Sequence, residues 1–186
     1  MKVNSTALLV MDIQHGIVER YSDSADTISK INTSIQFANR QEIPVIYVMV
    51  GFRKGMPEVG ATNKTFSASK ERMAGIDPKE VMKLHSDLDI DTDDIIVTKH
   101  RFSAFSGSDL DMILRSLSIR HLVLCGIATS GVVLSTLREA SDKDYLLTVL
   151  SDCCTDTDPQ AEEVLMRKVF PAQAEVKTTE EWMENE

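Results

Sequence analysis

The chain reads as an α/β protein built on one parallel sheet with helices on both faces. Three observations predict this. Apolar runs such as Ala7-Leu8-Leu9-Val10-Met11 and His121-Leu122-Val123-Leu124-Cys125 suit strands buried on both sides. Segments with apolar residues at helical spacing alternate with these runs, and repeated strand–helix units build parallel sheets. The 186 residues, 42% apolar and 26% charged, suffice for a single domain, 1–186, with a full core.

The elements follow in order. Residues 7–11 form the first strand. Residues 24–40 carry Ile28, Ile31, Ile35 and Ala38 near helical spacing. Pro44 then breaks the chain before a second strand, 45–50. Residues 51 to about 83 hold Gly51, Gly55, Pro57, Gly60, Asn63 and Ser67 among scattered charges. This stretch is expected to be a long loop or insertion, and such loops are often functional. A third strand, 95–98, leads to Lys99. Residues 109–117 form a helix with Leu110, Ile113, Leu114 and Leu117 on one side. A fourth strand, 121–125, is followed by a helix over 131–142. A fifth strand, 145–150, ends at Ser151-Asp152. Asp158-Pro159 opens the next helix, since Asp caps well and Pro tolerates the first turn. A short strand, 175–177, and a final helical turn, 179–184, close the pattern.

Twenty basic residues stand against 29 acidic ones, a formal net charge of −9. Nucleic acid and anionic membranes need basic patches, so neither is expected as a partner. The apolar runs are too short to span a bilayer. Met1-Lys2-Val3-Asn4-Ser5-Thr6 lacks the ordered regions of a signal peptide, so a cytoplasmic protein is expected. Cys125, Cys153 and Cys154 show neither a disulfide framework nor zinc spacing, and reduced thiols are the plain reading.

Three strand ends carry the chemistry. The first apolar run ends on Asp12, the third strand on Lys99, and the fourth on Gly126-Ile127-Ala128-Thr129-Ser130-Gly131-Val132-Val133. Parallel α/β sheets bind ligands in the crevice past the carboxyl ends of their strands. Asp12 there fits a general acid or base, and it equally fits a cap for the following turn. Lys99 could hold Asp12 ionised or stabilise an oxyanion, or be a solvated charge. The turn 126–131 could aim backbone N–H groups at developing negative charge, or be a structural turn. Its spacing is neither a dinucleotide fingerprint nor a Walker loop.

Three segments together resemble the signature segments of the isochorismatase-like hydrolases, also called cysteine hydrolases. They are Leu8-Leu9-Val10-Met11-Asp12-Ile13-Gln14, Lys99-His100-Arg101-Phe102-Ser103-Ala104-Phe105, and Cys125-Gly126-Ile127-Ala128-Thr129-Ser130-Gly131. The resemblance runs from about residue 5 to residue 175. It implies a three-layer fold with a six-stranded parallel sheet, and dimers or tetramers. It maps a catalytic Asp onto Asp12, a Lys onto Lys99, and the nucleophilic Cys onto Val132. It also implies a non-proline cis peptide near Ile127-Ala128.

Valine has no nucleophilic atom, so a thioester route through position 132 is closed. True isochorismatases also lack the cysteine and protonate a vinyl ether with the family Asp, a chemistry compatible with Val132. Arg101 matches an arginine that isochorismatases use near substrate, and fits a structural role equally. Gln14, Ile127 and Ala128 are expected as substrate-binding or scaffold residues, with Phe52, Arg53, Phe102 and Phe105 as candidates for an aromatic wall or for core. His15 and His100 could touch substrate or be polar loop residues. Cys153 and Cys154 are remote substitutes for the nucleophile. Nicotinamidases hold a metal after the second strand, and Met49-Val50-Gly51-Phe52-Arg53-Lys54-Gly55 lacks such ligands, so no metal and no cofactor are expected.

The expected function is hydrolysis of a small molecule at an amide, ureide or vinyl-ether bond by a homo-oligomer. This requires Asp12 and Lys99 within about 3–4 Å of each other. The alternative is an inactive relative retained as a binding or structural oligomer.

Overall fold

Strand β1 (Thr6–Met11) is the hub of the sheet, and all six of its residues are buried. A computed structural model describes residues 5–21 and 24–185. Residues 1–4, at the start of the segment read above for a signal peptide, lie outside them. After β1 come α1 (His15–Val18), α2 (Ser24–Arg40), β2 (Val45–Val50), α3 (Lys64–Arg72), α4 (Pro78–Val81) and β3 (Ile95–Lys99). The second half adds α5 (Leu110–Ser116), β4 (His121–Ile127), a π-helical turn Thr129–Val133 and α6 (Leu134–Asp142). It continues with β5 (Leu146–Thr155), α7 (Pro159–Val164), β6 (Glu175–Lys177) and α8 (Thr179–Asn185). The strand order is β3-β2-β1-β4-β5-β6, with every pair parallel. This is the expected six-stranded α/β architecture.

Alternation along the strands sends neighbouring side chains to opposite faces. Ala7, Leu9 and Met11 join the core formed with Leu110, Leu114, Val133 and Leu137 of the α5 and α6 side. Leu8 and Val10 join Ile28, Ile31, Ile35 and Ala38 of α2, with Trp182 of α8. Fully burying one such aliphatic side chain is worth about 1.5–3 kcal/mol, so a strand that is apolar on both sides is drawn to the centre.

The stretch after β2 differs from expectation. It is not a plain loop, because it folds α3 and α4 over a small core of Val50, Phe52, Met56, Val59 and Phe66. Asn63 Oδ1 accepts the Phe66 N–H at 3.0 Å, and Asp77 Oδ1 accepts the Lys79 N–H at 3.0 Å. Asp77-Pro78 is the same start signal as Asp158-Pro159. The glycines and charges around it hid it.

Strand β5 also runs beyond its expected end, to Thr155. The register slips between Leu124 and Gly126, which brings Gly126 opposite Cys154 and Ile127 opposite Thr155. Ser151 and Asp152 therefore sit inside a strand rather than ending it. Gly126 has φ 149°, and a Cβ there would lie 2.3 Å from the Met11 carbonyl oxygen. Only glycine lets β4 approach β1 this closely at the site.

Candidate active site

The strand order reverses direction between β1 and β4, and a crevice opens past the carboxyl ends of strands at such a point. Asp12 is the first residue beyond β1. It adopts φ 59°, a left-handed conformation that Asp tolerates better than most residues, and its N–H donates to Val48 O at 2.8 Å. Asp12 therefore turns the chain and also delivers a carboxylate to the crevice. Its side chain does not cap the following turn, because Oδ2 is taken by Lys99 and Oδ1 has no hydrogen-bond partner.

Lys99 ends β3, which is separated from β1 by β2. Two strand spacings of about 4.8 Å separate the two strands, and the long lysine stem covers much of that gap, the Asp12 side chain and the hydrogen bond to it covering the rest. Its Nζ donates to Asp12 Oδ2 at 2.9 Å and to Arg101 O at 2.8 Å. Lys99 is only 1% exposed and Asp12 7%. Asp12 Oδ1 is buried and has no hydrogen-bond partner. Burial pushes the Asp12 carboxyl above its ordinary value, and the Lys99 ammonium opposes the rise through charge and hydrogen bond.

The third wall is the π-helical turn after β4. The Ile127–Ala128 peptide is cis. Ser130 N–H donates to Asp156 Oδ2 at 2.7 Å, and Gly131 N–H to Ala128 O at 3.1 Å. Those two N–H groups therefore brace the turn instead of facing the crevice. Val132 is 1% exposed and its side chain joins the apolar core behind the wall.

These elements bound a cavity of about 580 Å³. Its floor holds Asp12, Lys99, Ile127, Ala128 and Val132, and its sides include Gln14, Val50, Phe52, Phe66 and Phe102. Gln14 acts as a clamp. Its Nε2 donates to Val50 O at 2.9 Å and to Met82 O at 2.5 Å, while Val50 N–H donates to its Oε1 at 2.8 Å. Phe52 meets Phe66 edge-on at 5.7 Å, and Phe66 meets Phe102 at 5.1 Å.

Several wall residues escaped the sequence reading: Tyr21, Phe66, Arg72 and Met73 among them. Residues 65, 66, 69, 72 and 73 share one face of α3, so the signal was helical periodicity behind the Asn63 cap. The Tyr21 phenol is held above its ordinary value by burial and by the charges of Asp156 and Asp12, with Arg20 opposing.

Other expected residues lie elsewhere. Phe105 is not a wall residue: it is buried in the core and stacks with Tyr145 at 6.2 Å. Its apolar ring sits on the α5 and α6 side of the sheet, where burial favours it. Arg101 supports the wall from behind. Its Nη2 donates to Glu58 O at 2.8 Å, and its guanidinium lies 5.7 Å from the Phe66 ring centre. Arg53 pairs with Glu58 at 2.6 Å, His15 stacks on His85 at 4.6 Å, and His100 Nδ1 meets Gly51 O at 2.6 Å.

The three cysteines are buried inside the sheet layers and none lines the cavity. Burial pushes all three thiols up, that of Cys153 to about 11. Cys153 bonds Thr179 Oγ1 at 3.1 Å instead. Among the described residues, no cluster of three or more His, Cys, Asp or Glu side chains is arranged to hold a metal. No helix among them is long and apolar enough to cross a membrane. A smaller hollow of about 350 Å³ lies at the opposite end of β2 and β3, beside Pro44 and Asp94.

Residues 6–181 match the isochorismatase domain family. The chain is 30% identical over 179 residues to the uncharacterized isochorismatase family protein YwoC of Bacillus subtilis, covering 96% of this chain and 93% of that protein. It is 32% identical over 182 residues to the ureidoacrylate amidohydrolase RutB of Stutzerimonas stutzeri, covering 86% and 73% respectively. An isochorismatase family protein from Burkholderia thailandensis superimposes with a TM-score of 0.84 at 28% identity, over 95% of this chain and 93% of that one. A match that runs from β1 into α8, on a sheet of this order, means that the chain belongs to the isochorismatase family.

Proposed function

We propose that this protein hydrolyses a small molecule with Asp12 as its acid/base and without a covalent enzyme intermediate. The observation that carries the reading is Asp12 itself. One carboxylate oxygen is held by Lys99, and the other is buried and unpartnered at a cavity of about 580 Å³. In this reading Val132 occupies the place where cysteine members of the family carry their nucleophile, so water must supply the attacking oxygen.

The ureidoacrylate amidohydrolases among its relatives favour an amide or ureide C–N bond. Asp12 Oδ1 then takes a proton from water as the water oxygen bonds to the carbonyl carbon. The tetrahedral intermediate collapses, the C–N bond breaks, and Asp12 returns the proton to the leaving nitrogen. Lys99 stays on Oδ2 throughout and offsets the carboxylate charge. With a vinyl ether the roles reverse. Protonated Asp12 delivers its proton to the terminal vinyl carbon, water adds to the resulting cation and returns a proton to the Asp12 carboxylate, and the neutral hemiketal collapses to a ketone and an alcohol.

Val132, packed into the wall, favours a second reading: a relative that binds a small molecule without turning it over. A screen of amides, ureides and isochorismate separates the two, run on wild type, Asp12→Asn and Val132→Cys. The hydrolase reading expects wild-type turnover that falls at least about 100-fold in Asp12→Asn. Turnover confined to Val132→Cys would mark a disabled amidase scaffold and overturn it.

A further inference from the structure

We infer that Arg72 and Arg20 form a carboxylate-binding subsite at the mouth of the cavity, so that the molecule bound there is a small monoanion. The inference rests on the reading of this cavity as the substrate site.

The subsite begins with the face that α3 turns to the cavity. Thr65, Ser69 and Arg72 follow one another at i, i+4 and i+7, which stacks them on one side of the helix. Arg72 Nη2 donates to Ser69 Oγ at 3.1 Å, and Ser69 Oγ donates to Thr65 O at 3.2 Å. The Ser69 proton is thereby committed to the backbone, and its lone pair is turned to the guanidinium. This holds Arg72 against the wall with its remaining N–H donors unspent. A guanidinium anchored in this way loses less freedom on binding, and its planar fork matches a carboxylate.

Arg20 stands in the turn after α1, on a separate element of the same wall. Among the described residues neither arginine has a carboxylate partner, whereas Arg53, Arg115 and Arg167 pair with Glu58, Asp111 and Glu163. Arg40, Arg101, Arg120 and Arg138 likewise have no carboxylate partner among the described residues, so it is their place on the cavity lining that sets Arg20 and Arg72 apart. The charges of the wall also set the valence of the ligand. Asp12 and Lys99 neutralise each other on the floor. Beyond that pair, the charged residues of the lining are Arg20, Arg72 and Glu19. The surplus is a single positive charge, which suits one carboxylate better than a dianionic phosphate. Phe52, Phe66 and Phe102 supply an apolar side for the body of the molecule.

Binding of 3-phenylpropanoate and 3-phenylpropanol, measured by titration calorimetry, tests this. Neither can be hydrolysed, and they differ only in the charged end. Wild type is expected to prefer the acid by at least about tenfold, the range of a charge-assisted hydrogen bond. Arg72→Gln and Arg20→Gln should each cut that preference several-fold while leaving affinity for the alcohol unchanged, and Arg72→Lys should recover part of it. Both arginines are exposed, and circular dichroism with thermal melts confirms that the variants fold. Three outcomes overturn the subsite: wild type binding neither probe, a preference that survives both substitutions, or inorganic phosphate displacing the acid at equal concentration. Discriminating binding without any turnover sinks the hydrolase reading and leaves the subsite standing. Turnover without discrimination does the reverse.

Discussion

Lys99 Nζ lies 2.9 Å from Asp12 Oδ2, and Oδ1 of the same carboxylate is buried without a partner. The pair thus fixes the carboxylate in place and leaves one oxygen without a hydrogen bond. Both side chains come from strand ends separated by β2, so the sheet itself sets the geometry.

Removing one member should expose the cost of the arrangement. Lys99→Met strands a buried carboxylate, and a loss of about 3–5 kcal/mol in unfolding free energy is expected from urea titration. The double variant Asp12→Leu/Lys99→Met should lose clearly less than the two single losses combined, because no charge is left unpaired. Additive losses, within about 0.5 kcal/mol, would show that the pair is not coupled.

The pH dependence of turnover carries a sign. Burial raises the Asp12 carboxyl above 3.8, so the folded state holds this proton more tightly than the unfolded chain does. Stability from this group is complete below 3.8 and declines as pH rises through the raised folded value. For kcat/KM the direction names the role. Amide hydrolysis with Asp12 as base rises with pH through that raised value, and vinyl-ether cleavage with Asp12 as acid falls through it. In either case Lys99→Met should move the limb to higher pH, because the lysine pulls the value down. A limb that stays put in this variant argues against Asp12 as its source.

The thiols should be silent in the native protein. Burial pushes Cys153 to about 11 and the other two further upward than their ordinary values, so almost no thiolate exists at neutral pH. A disulfide-exchange dye at mildly alkaline pH is expected to label none of the three cysteines in the folded state and all three in guanidinium chloride. Fast native labelling would reopen a cysteine as the reactive group.

Gly126→Ala tests the close approach of β4 to β1. The new Cβ would meet the Met11 carbonyl oxygen at 2.3 Å, backbone against backbone, at a φ of 149°. A loss above about 2 kcal/mol is expected, or failure to fold. Gly60→Ala is the control, since nothing lies within 4 Å of its Cβ, and it should stay within about 0.5 kcal/mol of wild type. Equal effects at the two positions would remove the steric account of Gly126.

Much of the fold was legible because burial on both faces leaves a local mark. The β1 run, the helix Ser24–Arg40 and the strand Glu175–Lys177 each declare themselves within a few residues. The α3 and α4 segment did not. Its short helices are held by caps and by a five-residue core with Phe52 and Phe66, and glycines and charges mask their periodicity. Phe105 misled for a related reason: an aromatic residue near a strand end carries no local sign of which side of the sheet will bury it.

The sequence by itself determined the strand–helix alternation, the family segments and the residue types at three strand ends, because backbone preference and apolar patterning are local properties. Tertiary structure alone decided the rest. Strand order brought Asp12 and Lys99 together across β2, the register slip at Gly126 shaped the turn beside Val132, and α3 brought Phe66 and Arg72 to the cavity. Each of these depends on which distant segments pack together, and no local pattern encodes that.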